Sequence, residues 1–241
     1  TSAGLRMKEA LQQLNERLSG NRFLRGLIVP GGVELDLTAE LARGIDHALA
    51  VTAEELESLL TRIENNSSVL DRLERTGTLT QSNALSLGVT GVAARASGIE
   101  RDSRRDHPHA GYADADCPTL SIVTLPKGDV YARLRLRAAE AGESIRLIRG
   151  LLASMPEGLT CTPMPAVLPA WGIGVSAIES PRGAALHWLR ADASGKIDRY
   201  HLRSASYANW PALPIAAQDD IIPDFPLINK SFELCYSCTD R

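Results

Sequence analysis

The stretch DVYARLRLRAAEAGESIRLIRGLLASM, residues 129–155, decides how the rest of the chain is read. Val130, Leu134, Ala138, Ala141, Ile145, Ile148 and Leu152 recur three and four positions apart. That period lays side chains along one face of an α-helix. At ~1.5 Å per residue the segment spans roughly 40 Å, enough for the central rod of a bundle. The spacing predicts a chain built mainly of helices around that rod.

The segments before it support that reading. Met7, Leu11, Leu14 and Leu18 form a second apolar stripe, stopped at Gly20. FLRGLIVPGGVELDL then reads as a short extended run with a turn at Pro30–Gly32. Thr38 is placed to cap a helix running to about Val51, and Thr52 with Glu55 reads as a capping box that opens another. Leu56, Leu59, Leu60 and Ile63 are its apolar face, and Asn65–Asn66 its end. A short helix is expected near Gln81–Leu87, then a Gly- and Ser-rich stretch suited to close backbone packing. Residues 100–118 read as a long polar loop.

Beyond Pro156 the pattern changes. WGIGVSAIES, GAALHWLRAD and KIDRYHLRSA alternate, with Ala193–Lys196 as a hairpin loop, and predict an antiparallel meander. The expected fold class is therefore mainly α, a helical bundle core with a small antiparallel β appendage. It is expected as one body: a helical core over 1–156, a β meander over 157–204 and a terminal segment over 205–241.

Composition excludes several functions. With 26 Lys and Arg against 29 Asp and Glu, the net charge is −3, and only 5% of residues are aromatic. No basic footprint or base-stacking surface for nucleic acid follows from that. No apolar run approaches the ~20 residues that cross a bilayer, and no secretory leader is visible. The chain opens directly on helix without Met, which reads as a fragment or a processed piece. There is no G-x-G-x-x-G and no P-loop. Cys117 and Cys161 are isolated and read as small buried hydrophobes in a reducing, cytoplasmic setting.

The candidate chemistry lies near the end, in FELCYSCTDR, residues 232–241. Two residues between Cys235 and Cys238 let both sulfurs face one ion, or each other, from a tight turn. Soft thiolates select nickel, zinc, copper(I) or iron–sulfur centres. A structural zinc site needs four ligands, and this chain offers no second pair. Spacing alone leaves open half of a metal site or two incidental cysteines. Arg182, between Pro181 and Gly183, reads as a turn residue that either aims a guanidinium at an anionic ligand or is simply solvated. Glu233 could relay protons beside a metal site. His107 and His109 suit metal binding or proton shuttling, and equally a polar loop packed on a partner. His187 and His201 read as supporting side chains of the meander.

In series, RFLRGLIVPGGV, GVTGVAARASGI, RRDHPHAGY, GDVYARLRLRAAEAGESIRLI, IESPRGAALHW, YANWP and CYSCTDR cover nearly the whole chain. They resemble the large subunit of nickel–iron hydrogenases, in the membrane-associated, complex-I-related branch that includes formate hydrogenlyase. The quinone-reducing subunit of respiratory complex I is similar over the early segments and the long helix, but has lost the metal-binding cysteines.

The resemblance implies a centre of one nickel and one iron, the iron carrying carbon monoxide and cyanide, held by four cysteinates. Two come from an upstream Cys-x-x-Cys that this chain lacks. By the same resemblance Cys235 is a terminal nickel ligand and Cys238 a bridge between the metals. Arg182 is the arginine that overhangs them and donates to the diatomic ligands. Glu233 stands where most members have Asp, and Leu234 where they have Pro, so the outer-shell role is altered there. Arg241 matches the end left when a precursor tail is removed. Also implied are a missing N-terminal part of the same subunit, an iron–sulfur small subunit that carries electrons, and membrane subunits. The location implied is cytoplasmic, peripheral to the inner face of the cell membrane. On this reading the chain is a C-terminal part of the catalytic subunit, metal-free and inactive in isolation. The alternatives are a complex-I-like NADH/quinone oxidoreductase module without hydrogenase activity, and a zinc-binding interaction domain.

Overall fold

The computed structural model describes residues 2–113, 117–155 and 157–239. In chain order it contains α1 (Ser2–Ser19), β1 (Ile28–Val29), β2 (Gly32–Val33), α2 (Ala39–Glu64), α3 (Ser67–Leu73), α4 (Gln81–Ser86), α5 (Gly91–Arg95), α6 (Ser103–Asp106) and α7 (Val130–Ala153). Strands β3 (Ile173–Ser180), β4 (Gly183–Ala191) and β5 (Ile197–Arg203) follow, then α8 (Ala205–Asn209), α9 (Ala212–Ala216) and α10 (Phe225–Phe232). The fold is a mixed α/β one, helices with two small antiparallel sheets. Its contacts separate into two units, Thr1–Asn66 with Ser144–Ala166, and Ser67–Glu143 with Val167–Arg241.

The first unit pairs α1 with α2. Ala3 and Met7 are buried from α1, and Ile45, Leu49 and Leu60 from α2. Thr38 caps α2 as expected, its side chain accepting from Leu41 N at 3.2 Å, and Asn65 closes it. The capping box at Thr52–Glu55 does not form. The helix runs through it unbroken, and Thr52 Oγ1 donates back to the Ala48 carbonyl at 2.8 Å. The buried stripe of Ile45, Leu49 and Leu60 continues across Thr52, so packing outweighs the local capping signal. The Pro30–Gly32 turn joins β1 to β2 and lies against residues 160–162. A Cβ on Gly31, at φ +102°, would stand 2.1 Å from the Thr162 carbonyl oxygen. Cys117 and Cys161 are half-buried free thiols, not core hydrophobes. Cys161 pairs at the sheet margin with Gly32, which leaves its side chain partly in solvent.

In the second unit Asp129 starts α7 by accepting from Ala132 N at 2.7 Å. Val130 of the expected face is buried, but beyond it the face of α7 turned inward departs from the expected one. Ala132 and Leu136 pack on Val92 and Ala96, with Val123 and Leu125 at the margin, while Leu134 is half-buried. Ile148, in the part of α7 that belongs to the first unit, is exposed. The helix is rotated because Arg133 is buried completely. Its guanidinium donates to the carbonyls of Gly77 (2.8 Å) and Gly128 (2.6 Å) and to Ser231 Oγ (2.8 Å), and stacks 4.3 Å from the Phe232 ring centre. An arginine with a partner on each of its three nitrogens can occupy a core position.

Strands β3, β4 and β5 form the expected meander, in register Ser180↔Gly183 and Leu186↔Arg203. The polar loop contains α6, tied to the sheet through a buried ion cluster. Arg95 reaches Glu140 (2.6 Å), Glu179 (2.8 Å) and Asp102 (3.2 Å). Among the described residues no helix is long and apolar enough to cross a membrane.

Candidate metal centre

The sequence FPLINKSFELCYSC builds the site from the end of α10. Ile228 and Phe232 are buried on the inner face of that helix. Ser231 is gripped by two arginines of α7: its hydroxyl accepts from Arg133 Nε, and its carbonyl from Arg137 at 2.6 Å. The helix ends at Glu233, which takes left-handed φ of +59° and turns the chain outward. A non-glycine residue held there marks a backbone constrained by its surroundings.

Two residues on, Cys235 and Cys238 face each other across one turn with their sulfurs 2.6 Å apart. Neither is in a disulfide, and both are half-buried. The Cys238 thiol, then Ser237 and the Cys238 amide, hydrogen-bond Cys235, and Arg182 adds a positive charge nearby; together they pull its pKa down to about 7.

Arg182 arrives from the two-residue turn between β3 and β4, as its Pro-Arg-Gly context predicted. Its Nε donates to the Glu233 carbonyl, and its terminal nitrogen stands 3.8 Å from the Glu233 carboxylate. Glu233 also pairs with Lys230 at 2.5 Å. Partial burial works against its ionisation, but Lys230, Arg137 and Arg182 outweigh that and hold the carboxyl below its ordinary range. The structure thus brings together Arg182, Glu233, Cys235 and Cys238. Arg241 lies outside the described residues.

The other candidates do not join them. His109 Nδ1 sits 3.2 Å from the His107 carbonyl. His107 lines a separate cavity of about 260 Å³ with Thr90, Asp102, Ser103 and Glu179. His187 Nδ1 is 2.7 Å from the Tyr200 hydroxyl, a contact within the meander. Among the described residues no group of three or more His, Cys, Asp or Glu side chains converges on one point. The zinc reading therefore finds no further ligands there. The donor set fits one half of a four-thiolate centre: two sulfurs on one side and a guanidinium anchored beside them.

The sequence reading missed the scaffold under this site. In SASYANW, residues 204–210, Ser204 Oγ donates to the Cys238 carbonyl (2.8 Å), and Ser206 Oγ accepts the Cys235 amide (3.1 Å). Trp210 Nε1 donates to Thr239 Oγ1 (2.6 Å), and its ring lies 5.0 Å from that of Tyr236. Asn209 binds the Arg182 turn. The available signal was a run of small polar residues in a helical context, with no loop composition to explain it.

The fold is found in a respiratory membrane assembly. Over 98% of its length the chain superposes on 65% of one chain of the membrane-bound sulfane sulfur reductase, described as an archaeal respiratory membrane complex, with a TM-score of 0.88 and 26% identity. The sequence matches the family described as respiratory-chain NADH dehydrogenase, 49 Kd subunit, over residues 2–171 and 167–241, and the chain belongs to that family.

Its similar relatives include both hydrogenases and quinone oxidoreductases. It is 33% identical to the carbon monoxide-induced hydrogenase of Rhodospirillum rubrum, over 97% of this chain and 64% of the relative. It is 30% identical to formate hydrogenlyase subunit 5 of Escherichia coli, over 98% and 41%. It is 31% identical to a subunit of the NADH-quinone oxidoreductase of Koribacter versatilis, over 98% and 65%. The chain spans less than two thirds of the length of each of these relatives.

Proposed function

We propose that this chain is the C-terminal part of the catalytic large subunit of a nickel–iron hydrogenase, an oxidoreductase that interconverts H2 with protons and electrons in a complex-I-related membrane assembly. The observation that carries the reading is the meeting of Cys235 and Cys238 at one turn beside an anchored Arg182, in a chain whose relatives include named hydrogenases.

Cys235 and Cys238 are the residues that hold the metals from this side. When bound, the centre supplies Lewis acidity and a store of electrons. Arg182 contributes a permanent positive charge and a planar set of donors above the thiols, fixed by its bond to the Glu233 carbonyl. Glu233, kept ionised by Lys230 and the two arginines, places a carboxylate two residues before Cys235 and anchors Arg182 beside it. The opposite pair of thiolates and an iron–sulfur partner belong to polypeptide outside this sequence. On this reading the subunit sits at the cytoplasmic face of the membrane, in contact with membrane subunits.

A complex-I-like quinone module is the second reading, favoured by the family itself. Retention of the paired thiols separates the two. The test is nickel and iron analysis of the complete complex. One nickel and one iron per large subunit, lost together in Cys235→Ser and Cys238→Ser, support the hydrogenase. A wild-type complex free of nickel that still reduces quinone supports the alternative.

A further inference from the structure

Asn209, the last residue of α8, has a fully buried side chain with both of its polar atoms hydrogen-bonded. Its Oδ1 accepts from Thr90 N at 2.9 Å, and its Nδ2 donates to the carbonyls of Thr90 (3.1 Å) and Arg182 (3.2 Å). The amide of Asn209 therefore pairs with residue 90 as a strand backbone would, and captures the Arg182 carbonyl at the same time.

The two backbones it joins lie flush. A Cβ on Gly91 would be 2.3 Å from Gly183 Cα and 2.5 Å from the Arg182 oxygen, and one on Gly183 would be 2.5 Å from Thr90 Oγ1. Glycines on both sides permit the approach, and Asn209 fixes it. The same short segment holds the cysteines from its other residues, through Ser204 to the Cys238 carbonyl and Ser206 to the Cys235 amide. One helical turn thus grips the backbone under the guanidinium and the backbone under both thiols.

We propose that Asn209 is a positioning residue that sets where Arg182 stands relative to Cys235 and Cys238, with α8 as the common ruler. This rests on the hydrogenase reading for its consequence in catalysis, but not for its geometry. Arg182 is itself part-exposed. Without the grip on its carbonyl, the two-residue turn is held to the terminal segment only from the side chain of Arg182, through Glu233. Displacements of about 1 Å at a reacting centre cost up to roughly 100-fold in rate.

The experiment uses the complete complex carrying Asn209→Asp or Asn209→Ser. Asp keeps the acceptor for Thr90 N and loses the donors to the Thr90 and Arg182 carbonyls, and Ser loses the reach to both residues. Three quantities are read: metal content, the infrared bands of the iron-bound diatomic ligands, and the cryo-EM position of Arg182. The expected result is wild-type nickel and iron, shifted infrared bands and turnover lowered roughly 10- to 100-fold. Arg182 leaves the Glu233 carbonyl while residues 232–239 keep their place. Unchanged bands with an unmoved Arg182 overturn the proposal. Loss of the metals or of assembly in both variants also overturns it, since that assigns Asn209 to folding. If the wild-type complex holds no nickel or iron, the hydrogenase reading fails separately, and the position of Arg182 still decides the role of Asn209.

Discussion

Arg182 donates from Nε to the main-chain carbonyl of Glu233, two residues before Cys235. The bond ties a hairpin turn to the segment that carries the thiols, between residues 51 positions apart in sequence. It uses Nε, and one outer nitrogen stands 3.8 Å from the Glu233 carboxylate. Arg182→Lys keeps the charge but lacks the planar fork. Turnover of the complete complex should fall at least ~100-fold, as when an oxyanion donor is removed, with metal content unchanged. Near-normal turnover in that variant would show that charge alone suffices.

The glycine contact beneath Arg182 is a second point of attack. Gly91 has φ +68°, and a Cβ there meets the backbone of residues 182 and 183 inside van der Waals distance. Gly91→Ala should destabilise the chain by about 2–3 kcal/mol, combining left-handed strain with overpacking. Urea unfolding measures it, and a shift below about 0.5 kcal/mol contradicts the close approach.

Arg133 should behave as a structural core residue. Arg133→Met removes the donors to the Gly77 and Gly128 carbonyls and to Ser231 Oγ; Gly128 keeps its bond from Leu79 N, and the Gly77 carbonyl loses the donor that Arg133 gave it. The expected cost is about 1–3 kcal/mol, read in the same unfolding experiment.

Acid should weaken the second unit through Asp102. This carboxyl is buried, which opposes its charge, but Arg104 and Arg95 overcome that and hold its pKa below the unfolded value. A carboxyl with a depressed folded pKa contributes stability above its unfolded pKa of about 3.9. That contribution is lost as the pH falls through the folded value. The melting temperature should therefore drop as the pH is lowered below about 4. The pH dependence should be shallower in Asp102→Asn. An identical slope in the variant would remove Asp102 from the account.

Much of the helical frame was legible because it is written in local periodicity and caps. Thr38, Gly20 and Asn65 mark ends that the structure keeps. So was the tight turn at Pro181–Arg182, where the strands pair directly on either side. Illegible were features whose cause lies far along the chain. Thr52–Glu55 has the form of a helix start, but a stripe extending from Ile45 to Leu60 carries the helix through it. Arg133 reads as a surface residue until three remote partners are known, and Ser204, Ser206 and Asn209 are ordinary polar residues until their bonds to 238, 235 and 182 are seen. The contrast is measurable: Thr38→Ala should cost about 1 kcal/mol, and Thr52→Ala, within a helix interior, should cost nothing or stabilise slightly.

Nickel and iron stoichiometry in the purified complete complex, set against that of its Cys235→Ser and Cys238→Ser variants, bears most directly on the central claim. The account predicts one atom of each metal per large subunit in the wild type, and neither metal in the variants. Full metal content in both variants, or a wild-type complex with no nickel, contradicts it.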